Sequence, residues 1–124
     1  MKRLMFCIPL ILLIVGCNNK SVSFSGESDN WEGEYSANIS DNGTSEQGEY
    51  VFGYKNADSD NSFKTLEIII NDGETSRKED NYKGSSIEIS TGCSGCTITK
   101  ESNPIEVTIK WDEEKDESFK LEPN

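Results

Sequence analysis

Cys93 and Cys96 are the two cysteines of the sequence whose spacing points to chemistry. They lie in the stretch TGCSGCTIT, residues 91–99, with the C-x-x-C spacing of thiol-disulfide enzymes and of half a zinc site. A zinc site needs four ligands, usually Cys or His, and the chain contains no His. Of the two remaining cysteines, Cys7 belongs to the leader described below and Cys17 is the residue expected to be lipidated, so we do not predict zinc.

The residues that follow the pair separate a redox role from a structural one. A reactive thiolate needs a lowered pKa, which a helix N-terminus or a basic neighbour supplies. Here the β-branched run 97–99 and then Asn103-Pro104 follow, which disfavours a helix. Ser94-Gly95 has turn chemistry, and a β-turn brings its first and fourth Cα atoms within about 7 Å, which overlaps disulfide geometry. We therefore predict a structural disulfide between Cys93 and Cys96 at the tip of a hairpin over 85–100, with a redox pair as the alternative.

Other catalytic arrangements are missing from the sequence. Without His, the usual general base near neutral pH and the Ser-His-Asp and Cys-His arrangements are absent. No G-x-S-x-G elbow and no phosphate-binding G-x-x-x-x-G-K-[ST] stretch occurs. We therefore predict a non-enzyme with no catalytic residues and no cofactor.

Two acidic stretches raise the question of calcium. Asp58-x-Asp60-x-Ser62 resembles the opening of an EF-hand loop, but Phe63 stands where that loop needs Gly and Ile69 where it needs Glu. The stretch 112–117 is a second acidic cluster and reads as a solvated hairpin tip. We predict no dedicated metal site, and a calcium-binding envelope protein remains an alternative.

Three aromatic residues alternate along one predicted strand. Tyr50, Phe52 and Tyr54 form either an exposed stacking platform or one inward face of a strand. The sequence has few other large residues to fill an interior, so we predict that they belong to the core.

The first sixteen residues have the pattern of an export signal. Lys2 and Arg3 precede an apolar run over 4–15, which is shorter than the about 20 residues of a membrane-spanning helix and contains Pro9. An uncleaved anchor helix is therefore the less favoured alternative.

The end of this leader identifies a class of protein. Ile14-Val15-Gly16-Cys17 resembles the lipobox of bacterial lipoproteins. The resemblance implies that residues 1–16 are removed and that the Cys17 thiol takes a diacylglycerol group. It also implies a location on the extracytoplasmic face of the cell membrane. The short polar run after Cys17 makes residues 17–22 the lipidated tether, and the alternating segments that follow make 23–124 the folded domain.

The chain as a whole resembles the small, uncharacterised surface lipoproteins of low-GC Gram-positive bacteria. The residues that carry this resemblance are the lipobox, the stretch 24–28 before Asn30-Trp31, and the C-terminal strand with Trp111. The resemblance implies no known activity.

The charge of the chain limits its partners. The formal net charge is −11, and loss of Lys2 and Arg3 with the leader makes it −13. Nucleic acid and anionic headgroups repel such a domain, so we predict no nucleic-acid partner. Solubility is the plainer interpretation of the charge, and the alternative is a basic partner, such as a protein of the cell envelope, or a cation.

Period-two alternation dominates the chain after the leader. Apolar residues alternate with polar ones over 31–39, 50–54, 66–70 and 105–111, and shorter runs occur near 22–24, 87–89 and 119–121. The stretch 75–82 reads as an edge strand or a loop. Seven or eight strands with frequent turn signals predict an all-β domain, a single antiparallel β-sandwich of immunoglobulin-like or similar type.

These observations predict a membrane-anchored binding or interaction module rather than a catalyst. The alternatives are a thiol-disulfide redox lipoprotein that uses Cys93 and Cys96, and a calcium-binding envelope protein.

Overall fold

The computed structural model describes residues 20–40, 43–58, 60–95, 99–100 and 102–124. The predicted leader, Cys17 and Cys96 lie outside the described residues. Within the described part of the chain, no helix is both long and apolar enough to cross a membrane.

The described residues form eight antiparallel strands, which confirms the predicted all-β class. A short 3-10 turn, Asn71–Gly73, separates the fourth strand from the fifth. The strands are β1 (Lys20–Glu27), β2 (Trp31–Ile39), β3 (Ser45–Tyr54), β4 (Ser62–Ile70), β5 (Thr75–Lys83), β6 (Ser86–Ser94), β7 (Ile105–Trp111) and β8 (Lys115–Pro123).

The strands form one nearly closed sheet in the order β5-β4-β7-β8-β1-β2-β3-β6. We call β1, β2, β3 and β6 the first half, and β4, β5, β7 and β8 the second half. The halves are joined by a short contact between β1 and β8, with the pairs Phe24↔Pro123 and Ser25↔Glu122. The strands β5 and β6 are the two edges of the sheet.

The core lies between the halves because alternate side chains of both point inward. In β2 every second residue from Trp31 to Ile39 is buried, and the residues between them are exposed. Aromatic rings connect the halves: the centroid of Trp31 lies 5.5 Å from that of Phe63 and 5.7 Å from that of Trp111. Burial of these large rings is the main stabilisation that a domain of this size has available.

The first strand begins before the run near 22–24 that alternation predicted. The first strand begins at Lys20, so Asn18 and Asn19 alone separate it from Cys17. The stretch at 75–82, predicted as an edge strand or a loop, is the edge strand β5, which pairs with β4 except at Asn81.

The described residues of 85–100 do not form the predicted hairpin. Its first strand, β6, pairs with β3, and Thr99 lies in no strand. Thr97 and Ile98 lie outside the described residues. The next strand, β7, lies between β4 and β8, where Ile105, Val107 and Ile109 bury their side chains in the core. The chain after β6 therefore crosses from the first half to the second instead of turning back.

Candidate functional site

Cys93 lies near the end of β6 and is exposed. Through the cross-strand pairs Lys20↔Ile39, Ile39↔Glu46 and Glu46↔Cys93 it shares one end of the first half with the start of β1. Cys96 lies outside the described residues, so the Cys93–Cys96 disulfide stays a prediction. An intact-mass measurement of the exported protein tests it, and two free thiols would contradict it.

The redox alternative also stays a prediction. No α-helix occurs in the described part of the chain to place its N-terminus near Cys93. An insulin-reduction assay with a Cys96→Ser control tests this alternative, since only a redox pair would lose activity on that substitution.

A buried carboxylate lies beside Cys93, and the sequence pattern does not predict it. Glu46 is 6% exposed and accepts hydrogen bonds from the Tyr35 hydroxyl and from Thr99, whose N and Oγ1 lie 2.7 Å from its two oxygens. Burial, and then the hydrogen bond to Glu46, raises the pKa of Tyr35 to about 12. Because these donors satisfy both oxygens, Glu46 fixes the segment at Thr99 to the first half. The sequence does contain one sign of this burial. Glu46 lies two residues from Gly48 and four from Tyr50, and residues an even number apart share one face of a strand.

Asp58 and Asp112, one in each acidic stretch, accept hydrogen bonds from backbone N–H groups. The Asp58 carboxylate accepts a hydrogen bond from the backbone N–H of Asp60 at 3.1 Å. The Asp112 carboxylate accepts one from the backbone N–H of Lys64 at 2.9 Å. Among the described residues, no three His, Cys, Asp or Glu side chains are grouped so that they could hold a metal ion. The calcium alternative therefore gains no geometric support from these residues.

The aromatic residues of β3 belong to the core, as predicted. Tyr50 and Phe52 are buried, and Tyr54 packs against the core. The centroids of Tyr35 and Tyr50 lie 4.2 Å apart, which places both rings in one inward layer. An exposed stacking platform on β3 is therefore excluded.

The outer face of the first half is an uncovered polar surface with an apolar centre. Val51, which is 37% exposed, lies directly between Glu34 on β2 and Glu88 on β6. Glu34 and Val51 line a cavity of about 550 Å³, together with Glu32. A second cavity of about 670 Å³, lined by small polar residues such as Ser36 and Ser90, continues along the same face.

Charge is distributed unevenly between the halves. The four strands of the first half carry six acids and one base. The four strands of the second half carry seven acids and seven bases. All six acids of the first half except the buried Glu46 alternate with the core positions, so the outer face of the first half is the acidic side of the sheet.

The two sheet edges differ in how they are protected against pairing with other strands. The β5 edge contains Arg77, Lys78, Glu79, Asp80 and Lys83, and it is interrupted at Asn81, whose φ is 55°. Charges and such irregularities are the usual protection of an edge. From Ile89 to Thr99, by contrast, the sequence has no charged residue.

The orientation of the β6 backbone follows from hydrogen bonds at its ends. Gly95 N–H donates to Thr44 O, and Ser85 O accepts from Tyr54 N–H, so odd-numbered residues bond to β3. In an antiparallel ladder the backbone N–H and C=O groups of the intervening, even-numbered residues point away from β3. Accordingly, Ser86 O accepts from the Tyr82 hydroxyl at 2.6 Å and Glu88 O from Arg77 at 2.7 Å, across the gap towards β5.

Beyond Glu88 this outer side of β6 is open. The backbone groups of Ser90, Gly92 and Ser94 point away from β3, and no described strand pairs with them there. The arrangement can accept main-chain hydrogen bonds from an added strand, next to an acidic face.

No protein-family model, curated protein or solved structure matches this chain.

Proposed function

We propose that the chain is a lipid-anchored, non-catalytic interaction module on the extracytoplasmic face of the cell membrane, held there by a diacylglycerol group on Cys17. Its binding surface is the acidic outer face of the first half. The observation that carries this proposal is the cross-strand row Glu34–Val51–Glu88, of which Glu34 and Val51 line the cavity on that face.

The distance between anchor and domain supports this function. Two residues separate Cys17 from β1, and an extended chain spans at most about 3.6 Å per residue. The Lys20 end of the first half therefore lies close to the bilayer, and the acidic face extends away from it. Anionic headgroups repel that face, which leaves it accessible to other proteins.

The proposed architecture is the β-sandwich expected from the sequence, of immunoglobulin-like or similar type. Contact between Trp31 in the first half and Trp111 in the second supports two layers packed face to face.

The proposed partner is a protein with a basic surface. A Lys or Arg side chain can lay its apolar stem on Val51 while its charged head lies between Glu34 and Glu88. Within the described residues, no ion pair or hydrogen bond engages the carboxylates of Glu34 and Glu88, so they remain accessible to such a cation.

Membrane fractionation tests the anchor. Cys17→Ser removes the thiol that would carry the lipid, so we expect the variant in the soluble fraction and the wild-type chain in the membrane fraction. Retention of Cys17→Ser on the membrane would contradict the anchor.

Site-specific photo-crosslinking in the native envelope tests the binding surface. A photoreactive residue at Val51 should give a protein adduct, whereas one at Ile69, on the outer face of the second half, should not. Replacing Glu34 and Glu88 by Gln should reduce the adduct, and Glu67→Gln in the second half is the matched control. Equal adducts at both positions, or no effect of the Glu34 and Glu88 substitutions, would contradict the proposed surface.

A further inference from the structure

We propose that the open side of β6, at residues 90–94, is a strand-addition site for an extended, basic segment of a partner polypeptide. This inference rests on the proposed function and names the form in which the partner binds. The added segment would lengthen the first half by one strand and lie beside its acidic face.

The contrast between the two edges carries the inference. A sheet edge that is not used for binding is normally protected by charges, irregularities or a covering element. The β5 edge has the first two, as its charged residues and the positive φ of Asn81 show. From residue 90 to residue 94 the β6 edge has neither, although it faces the same gap.

The geometry at Gly92 favours close approach of another backbone. A Cβ at this position would meet no heavy atom nearer than Glu46 O, at 3.9 Å. Lack of space in the fold is therefore not the reason for a glycine here. Its φ is not in the left-handed region either. Together with Ser90 and Ser94 it presents an alternating set of N–H and C=O groups, the pattern that strand addition uses.

The acidic face selects the charge of the added segment. Ser90 lies opposite Glu49 on β3 and two residues from Glu88. A side chain of an added strand opposite Ser90 would lie diagonal to Glu88, about 7–8 Å away, which is within reach of Lys or Arg. A basic residue at that position would be stabilised, and an acidic one would be repelled.

A second copy of this chain fits the site less well. Twofold pairing of two β6 strands is antiparallel, so the Lys20 end of one copy would lie beside the opposite end of the other. With two residues between Cys17 and β1, both lipids could not then reach the same membrane. The occupant is therefore a different polypeptide.

Selection from a displayed peptide library tests the site even though the partner is unidentified. Random peptides of about 10 residues, enough for one strand, are selected on the detergent-solubilised full chain. We expect enriched peptides with alternating β-branched residues and at least one Lys or Arg.

Two variants of one residue then test the binding mode. Gly92→Ala keeps the backbone N–H and should bind the selected peptides like the wild-type chain. Gly92→Pro removes an N–H that β3 does not use, so the fold should persist and binding should weaken by about tenfold or more. If Gly92→Pro does not fold, N-methylation of alternate peptide amides gives the same test on the peptide side, with the same expected loss.

The outcomes separate this inference from the proposed function. Equal binding to Gly92→Pro and Gly92→Ala, selection of acidic peptides, or no selection at all would overturn strand addition. Equal binding to both Gly92 variants, combined with loss on replacing Glu34 and Glu88 by Gln, would overturn strand addition while leaving the acidic surface in place. A concentration-dependent dimer of the wild-type chain that Gly92→Pro abolishes would identify a second copy as the occupant and overturn the inference as well.

Discussion

Gly33 and Gly53, on neighbouring strands, differ in what surrounds them. A Cβ on Gly33 would lie 2.7 Å from the Phe52 ring, inside the core, whereas one on Gly53 would meet Glu32 at an ordinary 3.6 Å on the outer face. We expect Gly33→Ala to lower the free energy of unfolding by about 1–3 kcal/mol through overpacking. Gly53→Ala, the matched control, should leave it unchanged or raise it by up to about 1 kcal/mol. Urea denaturation measures both, and equal effects would contradict this packing.

The hydroxyl of Tyr35 predicts a loss of stability at high pH. Burial and the bond to Glu46 raise its pKa in the folded state to about 12, from about 10 in the unfolded chain. The stabilisation is complete below pH 10 and is lost as pH rises towards 12, by about 1.4 kcal/mol per pH unit as an upper limit. Urea denaturation at pH 9 and pH 11 should show this loss, and Tyr35→Phe should reduce it. The same loss in Tyr35→Phe would contradict the assignment.

The burial of Tyr50 and Phe52 was predictable from the sequence, and that of Glu46 was not. The aromatic residues follow the period of two that any half-buried strand shows. Glu46 breaks this pattern, and one of its partners, Thr99, lies 53 residues away. An acid can occupy an inward position when donors surround it, and local sequence does not reveal donors so distant.

At the level of elements, a clamp at the far end from Lys20 ties β8 to the turn between β1 and β2. Glu117 accepts hydrogen bonds from Ser28 Oγ at 2.5 Å and from Asn30 N and Nδ2 at 3.0 and 2.5 Å. Lys55 donates to Ser28 O at 2.8 Å and forms an ion pair with Glu27 at 2.6 Å. The clamp thus adds a side-chain link to the short β1–β8 contact between the halves.

Removal of the Glu117 carboxylate should weaken this link. We expect Glu117→Ala to lower the free energy of unfolding by about 1.5–3 kcal/mol, the value for hydrogen bonds to a charged group. Asp116→Ala, at the exposed neighbouring position, should change it by less than about 0.5 kcal/mol. Thermal or urea unfolding compares the two, and similar losses would contradict the clamp.

The clamp also has a pH dependence with the opposite sign to that of Tyr35. Burial alone would raise the pKa of Glu117, but hydrogen bonds from Ser28 and Asn30 outweigh it and lower the pKa. The stabilisation is therefore present above the unfolded value of about 4.3 and is lost as pH falls through the folded value. Glu117→Gln should lose less stability than the wild-type chain on acidification from pH 6. An equal loss in both proteins would contradict this contribution.

The strands themselves were largely predictable, and their neighbours were not. Alternation located β2, β4 and β7 because each buries one face. The pairing of β6 depends on its register with β3, more than 30 residues earlier in the chain, as the pair Ser45↔Ser94 shows. A hairpin assigned from turn chemistry at Ser94-Gly95 could not include that distant pairing.

At the scale of the whole molecule, topology separates charges that are mixed along the sequence. The net charge follows from composition, but the acidic excess of the first half appears only when β6 is placed beside β3. The same topology leaves β5 and β6 as edges, one charged and the other not. The candidate site could not be predicted because it is formed by strands distant in sequence.

Amide hydrogen exchange along β6, followed by NMR in the unbound protein, tests the open edge most directly. We expect slow exchange at Ile89, Thr91 and Cys93, whose N–H groups bond to β3, and fast exchange at Ser90, Gly92 and Ser94. As a control, neighbouring amides of β3 should all exchange slowly, because β2 and β6 flank it on both sides. Alternating protection on β6 is the result the open edge predicts, and uniform slow exchange from residue 89 to residue 94 would contradict it.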